Sequence, residues 1–368
     1  FAKNSEYAKI AIDLALGRGG DQVVLKDGSK IQYFGGKTQA VEKNTRVKAR
    51  VKAHALKEFM NTKEKVVVMG HRLPDSFGAA IGIYRAAKTL NKKAYIVIDN
   101  PTSSIIPLMN TFRDNQDYEA DMFVNNHEAK EIMDDNTLLV VVDTNKPSIT
   151  QCEDLLYMAK MIVVLDHHRQ GSDTIRNSVL SYIEPYASSA SEMVAEILQY
   201  FTEGIRIRNV EADSIYAGIM IDTDNFMQKT GVRTFEAAAF LRRCGADVTR
   251  VRKLFREDMN DYKARGETIR NAELFRGQFA ISECPSDYVD SPTVVGAQAA
   301  NELLNIVGVK ASFVLTEYKG VIYISARAID EVNVQIIMER MGGGGHLNMA
   351  GCQLETVNME GARNLLKS

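Results

Sequence analysis

Ile162-Val163-Val164-Leu165-Asp166-His167-His168 sets an unbroken aliphatic run directly before one acid and two imidazoles. A run of that length without polar alternation reads as a strand covered on both faces, the kind found in parallel α/β sheets. Two further stretches repeat the pattern. Val66–Met69 leads into Gly70-His71-Arg72-Leu73-Pro74-Asp75, and Leu138–Val142 leads into Asp143-Thr144-Asn145. Ala94–Ile98 reads as another buried strand, and helical stretches at Ser76–Leu90 and Ser189–Tyr200 fall among them. Strands alternating with helices predict βαβ units and a mostly parallel sheet. Ligands in such sheets bind beyond the carboxyl ends of the strands. His71, Asp75, Asp143, Asp166, His167 and His168 are therefore expected along one edge. Asp222, which closes the apolar helical run Ile215–Ile221, is expected to join them.

Mixed imidazole and carboxylate donors suit Mn²⁺ or a similar ion better than calcium. A bridging acid flanked by further donors suits a pair of ions, which together activate water and clamp the oxygens of a phosphate ester. The chemistry implied is phosphoester or phosphoanhydride hydrolysis. Each residue alone has a plainer reading. Asp143 fits a turn or a helix cap, His71 a histidine satisfied within its loop, and adjacent histidines are a weak metal signal. Their joint occurrence after three β-rich runs is what carries the metal reading.

The rest of the chain narrows the class. Its 368 residues carry 45 Lys+Arg against 47 Asp+Glu, a formal charge of −2, which argues against a broad face for duplex nucleic acid. The longest apolar runs are far too short to cross a bilayer. Cys152, Cys244, Cys284 and Cys352 form no CxxC pair, so a zinc ribbon is not expected and a reducing compartment is. Residues 1–60 read as a helix (Tyr7–Leu16), two short strands (Gln22–Lys26 and Ile31–Tyr33) and a connecting helix (Thr45–Met60). A catalytic α/β domain is expected over 61–247, with a helical region at about Glu211–Ala246. The charged stretch 248–275 reads as a helical linker, and 276–368 as a smaller α/β domain. Strands are predicted there at Phe279–Ser282, Ala311–Glu317, Val321–Ala326 and Gly351–Glu355, and helices at Val294–Val307, Val332–Met341 and Met359–Leu366. Ser189 to Glu192 reads as a capping box opening a helix. The run Gly342–Gly345 before His346 is either a flexible loop or a place where backbone N–H groups meet a ligand at a helix start.

Taken together, Asp166-His167-His168, Gly70-His71 with Asp75, and Asp143 resemble the DHH phosphoesterase superfamily. Gly342-Gly343-Gly344-Gly345-His346 resembles the DHHA1 domain that follows it. Leu14-Ala15-Leu16-Gly17-Arg18-Gly19-Gly20-Asp21-Gln22 and Tyr33-Phe34-Gly35-Gly36-Lys37 resemble the end of a degenerate GGDEF domain. That order is similar to the membrane-anchored bacterial phosphodiesterases that open cyclic di-AMP to 5′-pApA. The resemblance implies a DHH domain of mostly parallel sheet, joined by the linker to a smaller DHHA1 domain. It implies two Mn²⁺ ions: His71 and Asp75 on the first, Asp143 bridging, His167 and Asp222 on the second. His168 would sit further out, towards the phosphate or the attacking hydroxide.

Ser325, Arg327 and Asn333 match the family's Ser-Ala-Arg…Asn-Val-Gln segment and, with Gly342, Gly343, Gly344, Gly345 and His346, would bind the nucleotide. Arg327 could pair a phosphate oxygen or, alternatively, Asp330 or Glu331 at the surface. The resemblance further implies a homodimer. It also implies a parent anchored at the cytoplasmic face of the cell membrane, with transmembrane helices and a PAS domain ahead of Phe1 and no membrane contact from this segment. One departure stands out. The family pattern Pro-Asp-x-Asp-Ser is here Pro74-Asp75-Ser76, two residues shorter, which would cost one ion a carboxylate; Asp75 could stand for either aspartate, since Pro74 matches the neighbour of the first and Ser76 that of the second. Related readings stay open: hydrolysis of short oligoribonucleotides, pApA or pyrophosphate, or a form that binds nucleotide without turning it over.

Overall fold

Aliphatic runs with β-branched residues build the six-stranded sheet that organises the N-terminal half. The computed structural model describes residues 8, 11–12, 22–27, 30–35 and 46–368, apart from 172, 257, 330 and 331. Most of the GGDEF-like leader motif, including Leu14–Asp21, lies outside the described residues, as does most of the helix expected at Tyr7–Leu16. The chain divides into two units, Phe1–Phe255 and Arg256–Ser368.

The first unit begins with an antiparallel pair, β1 (Gln22–Asp27) and β2 (Lys30–Gly35), then helix α1 (Arg46–Asn61). There follow β3 (Lys65–Met69), α2 (Pro74–Thr89), β4 (Lys93–Val97), α3 (Ile106–Arg113), β5 (Phe123–Val124), α4 (Asn126–Ile132), β6 (Thr137–Val142), α5 (Asp154–Met158), β7 (Ile162–Asp166) and β8 (Leu180–Ile183). The unit closes with α6 (Ala190–Phe201), α7 (Asn209–Asp222), α8 (Val232–Arg243) and α9 (Val248–Leu254). Strand order is β5-β4-β3-β6-β7-β8, parallel throughout. The three strands with polar ends, β3, β6 and β7, are neighbours at its centre. Their register places Met69 beside Val141 and Val142 beside Leu165, so the polar ends are level.

Alternation along the strands feeds two cores. Val66, Val68, Leu138, Val140, Val163 and Leu165 enter one, and Val67, Met69, Leu139, Val141, Ile162 and Val164 the other. Burial on both faces is why these strands read as unbroken apolar runs. On the first face α2, α6 and α7 approach closely through small residues. A Cβ at Gly78 would stand 2.6 Å from Ser191 Oγ and from Ser214 O, and one at Gly218 would stand 2.1 Å from Ser191 Oγ. Side chains at these positions would push the helices apart.

The second unit comprises α10 (Met259–Arg270), β9 (Glu273–Phe275), β10 (Phe279–Cys284), α11 (Pro292–Leu303), β11 (Ala311–Tyr318), β12 (Val321–Ala328), α12 (Val334–Arg340), β13 (Gly344–His346), β14 (Met349–Leu354) and α13 (Met359–Lys367). Its sheet, ordered β13-β14-β12-β11-β10-β9, is mixed, with β10 and β11 the parallel pair. Ala264 of α10 and Val295 of α11 share a core with Ala280 and Val314, while Met338 of α12 and Ala362 of α13 pack with Phe313 and Ile324.

The stretch 248–275 is not one linker. Arg250 Nε donates to Asp213 Oδ2 at 2.7 Å and Val251 is buried, so α9 belongs to the first unit. Ala264 is buried and Ser282 Oγ donates to Thr268 O, so α10 belongs to the second, and β9 is part of its sheet. Each helix carries enough apolar surface to be claimed by a different core. Among the described residues, no helix is long and apolar enough to cross a membrane.

Candidate metal centre

The level ends of β3, β6 and β7 bring the expected residues together around Asp143. This residue holds a left-handed backbone, φ 60°, which is uncommon outside glycine and costs energy that the surroundings must offset. Its N–H bonds Leu165 O at 2.9 Å, tying the turn to β7. The carboxylate is buried, with Oδ2 2.7 Å from His71 Nε2 and Oδ1 3.3 Å from His167 Nε2.

His167 is set by its other nitrogen: Nδ1 lies 3.3 Å from Ala187 O, which fixes the tautomer and turns Nε2 towards the acids. Around Nε2 stand Asp143 Oδ1 at 3.3 Å, Asp222 Oδ2 at 3.5 Å and Asp75 Oδ2 at 3.9 Å. His168 points further out and its side chain is 54% exposed, with Nδ1 held by Asp166 Oδ1 at 2.7 Å. Sequence reasoning gave Asp166 no task. Fully buried, it also accepts from the His168 N–H at 3.1 Å and from Asn145 Nδ2, and Asn145 in turn bonds His168 O at 3.2 Å. Asn145 was likewise passed over, although the Asp143-Thr144-Asn145 turn brought it to notice. Asp224, two residues beyond Asp222, lies in a left-handed turn and accepts from Gln228 Nε2 at 3.2 Å.

Of the two roles the shortened motif leaves open to Asp75, the geometry favours the second: the carboxylate stands beside His167 and Asp222. Donor atoms of Asp75, His167 and Asp222 all lie within 4.8 Å of one another, as do those of Asp143, His167 and His168. The cause is the N-terminus of α6. Ala190 N–H donates to Asp75 Oδ2 at 2.7 Å, Ser191 N–H to Oδ1 at 2.9 Å, and Ser191 Oγ to the Asp75 carbonyl at 2.9 Å. A helix N-terminus offers unpaired N–H groups and positive potential, and a carboxylate satisfies both. Ser189 caps this helix by accepting from Glu192 N–H at 3.0 Å. The expected box is only half formed, because the Glu192 carboxylate is taken by Ser188 and by Thr234 Oγ1 at 2.6 Å.

Crowded carboxylates shape the protonation. Burial, then the charges of Asp143 and Asp222, push Asp75 well above the usual carboxylate range. Burial also raises Asp222, against the pull of His167. For His167 burial favours the neutral ring, but the surrounding acids outweigh it and push the group up to about 9. Asp143 is the opposite case: burial opposes its charge, and the two imidazoles beside it hold it below the usual range. Asp143 Oδ1 and His167 Nε2 are buried without a hydrogen-bond partner among the described residues. Buried polar atoms are rarely left so. Two orphaned donor atoms facing each other among further carboxylates fit a divalent ion of the Mn²⁺ class.

In the second unit the residues picked from sequence mostly serve the fold. Asn333 caps α12, accepting from Ile336 N–H at 3.3 Å. The glycines follow a helix instead of opening one. Gly342, at φ 81°, and Gly343 close α12 in a Schellman turn, their N–H groups bonding Glu339 O at 3.1 Å and Met338 O at 2.8 Å. A Cβ at Gly343 would stand 2.1 Å from Gly351 O, and one at Gly345 would stand 2.5 Å from the Ala350 Cα. Gly344 has nothing within 4 Å of such an atom. Ser325 pairs across β12 with Val314 and Gly351. Arg327 donates to Asn301 Oδ1 at 2.8 Å and to Ala326 O at 3.0 Å, and burial lowers its pKa. The alternative partners Asp330 and Glu331 lie outside the described residues. His346 sits in β13 opposite Met349.

Comparison with known proteins agrees with the two-unit reading. Residues 65–219 match the DHH family, N-terminal domain, and residues 279–368 match the DHHA1 domain. The cyclic-di-AMP phosphodiesterase GdpP of Bacillus subtilis (strain 168) is 44% identical over 371 residues, covering 98% of this chain and 56% of that protein. The cyclic-di-AMP phosphodiesterase PdeA of Listeria monocytogenes is 40% identical over 370 residues, covering 99% and 56%. The chain thus spans little more than half the length of these curated relatives. Among solved structures, an exopolyphosphatase-related protein from Bacteroides fragilis superposes with a TM-score of 0.71 at 18% identity, covering 90% of this chain and 97% of that one, and shares the fold.

Proposed function

The chain belongs to the DHH family, and from that premise we propose that it hydrolyses cyclic di-AMP to 5′-pApA with two Mn²⁺ ions as cofactors. The observation that carries the reading is the pair of orphaned buried atoms, Asp143 Oδ1 and His167 Nε2, at the edge where three strands end level. The relatives' identity supports the choice of substrate. When bound, the ions supply charge neutralisation at the phosphate and a water of lowered pKa.

The chain's own residues do the rest. Asp143 is fixed between His71 and His167 by its left-handed turn, so its two oxygens serve opposite sides. Ala187 and the α6 N-terminus hold His167 and Asp75, so little reorganisation is needed at the moment of reaction. His168, pinned at Nδ1 by Asp166, keeps Nε2 for the phosphate or its attacking hydroxide. Among the described residues Arg327 meets a neutral amide and a carbonyl, and its charge is proposed to meet a phosphate of the nucleotide. Gly344, open to approach, is the glycine of the run best suited to contact the ligand; Ser325, Asn333, Gly342, Gly343, Gly345 and His346 shape or line the same segment.

Stripping the protein of divalent ions, restoring Mn²⁺ and following 5′-pApA release tests the proposal. Hydrolysis is expected to return with Mn²⁺ and to exceed the rates on pApA and on pyrophosphate. A faster rate on either of those moves the substrate within the family, and no Mn²⁺-dependent hydrolysis of any of them ends the enzymatic reading.

A further inference from the structure

Resting on the reading of this cluster as a divalent-ion centre, we infer that its two ion positions are unequal. One is tight, built by Asp75, Asp143, His167 and Asp222. The other is loose, built by His71 and the far oxygen of Asp143. Donor supply is the first reason. Three carboxylates stand within 3.9 Å of His167 Nε2, contributed by α2, the end of β6 and the end of α7. On the other side His71 Nε2 meets Asp143 Oδ2 at 2.7 Å, and the next imidazole atom inward, His168 Nδ1, is already held by Asp166 at 2.7 Å. An Mn²⁺-class ion needs several oxygen or imidazole donors, and among the described residues, with His168 Nδ1 held by Asp166, that side provides His71 and half of a shared carboxylate.

The second reason is that Asp75 has no freedom to even the balance. Each of its carboxylate oxygens accepts a backbone N–H of α6, and its carbonyl accepts Ser191 Oγ. Its Cα packs on Gly218, where a Cβ would already come within 3.1 Å. Swinging Asp75 towards His71 would strand two N–H groups and open the α2–α6–α7 contact, so the carboxylate stays with the tight position. The loose position then fills only at higher ion concentration, and turnover follows the free Mn²⁺ level through that site.

Titrating the metal-free chain with MnCl₂ in the absence of nucleotide tests this, read by calorimetry and by electron paramagnetic resonance. One equivalent is expected to bind at least about tenfold tighter than the next, with the spectrum of an isolated ion. His71→Ala should remove the second event and leave the first within about threefold, whereas Asp222→Ala should weaken the first by about 100-fold. Circular dichroism confirms that each variant is folded. Inserting Ala-Asp between Asp75 and Ser76, which restores a second carboxylate, should yield two ions of similar affinity with a spin-coupled spectrum. Two equal, coupled ions in the unaltered chain, or a first event that His71→Ala weakens more than about tenfold, overturns the inference. Since no nucleotide is present, failure of hydrolysis alone removes the proposed function and leaves the unequal positions standing.

Discussion

The polar edge of the first unit and the glycine-rich edge of the second both stand out in the sequence, yet the fold uses them differently. At the first edge two of the conspicuous side chains keep a buried atom without a hydrogen bond. Asp143 N–H is bonded to Leu165, while Asp143 Oδ1 and His167 Nε2, 3.3 Å apart, have no hydrogen-bond partner among the described residues. At the second edge the conspicuous residues are consumed locally. Gly342 and Gly343 end a helix, Gly343 and Gly345 clear β14, and Asn333 starts α12. Surplus polar capacity marks a site, whereas an unusual residue run with every member employed marks a constraint of packing. Among the described residues, Gly344 keeps open space where its neighbours are packed, and Arg327 donates to an amide and a carbonyl.

The largest test of this contrast is Asp143→Asn. Asparagine tolerates the left-handed backbone, so the fold should survive while hydrolysis falls about 10³-fold, measured as 5′-pApA release beside a circular dichroism spectrum. Retained activity would show that the polar edge is as structural as the glycine run. Next in size, Gly343→Ala should cost about 1–3 kcal/mol in thermal unfolding, since the added methyl meets Gly351 O and the Cys352 Cβ. Gly344→Ala should stay within about 0.5 kcal/mol, and any loss it causes should appear in KM. Equal losses of stability would erase the distinction drawn within the run.

Smallest per step is the pH dependence of Mn²⁺ binding. His167 keeps its proton until about pH 9 in the metal-free protein, and an arriving ion must displace it. Apparent affinity should therefore rise with pH, about tenfold per unit, and level off as pH passes about 9. A flat profile between pH 6 and about 8 would mean that the imidazole is not a ligand.

What the sequence determined by itself was everything set by local pattern. Unbroken aliphatic runs identified the buried strands, and the residues just after them identified the edge, because a parallel strand delivers its next residues to one side of the sheet. The short edge strands β5 and β8 escaped notice, one being only two residues long and the other alternating buried and exposed positions. The division inside 248–275 escaped as well, since amphipathic spacing says that a helix is covered but not which core covers it. Only the tertiary structure decided which acids stand together around His167. The family resemblance set Asp75 with His71 on one ion, while the shortened motif left it able to stand for either aspartate of the pattern. Its neighbours are chosen instead by the approach of α6, through Ala190 and Ser191, and by the missing side chains of Gly78 and Gly218. These contacts join residues more than a hundred positions apart, and no local pattern encodes the distance between two helix backbones.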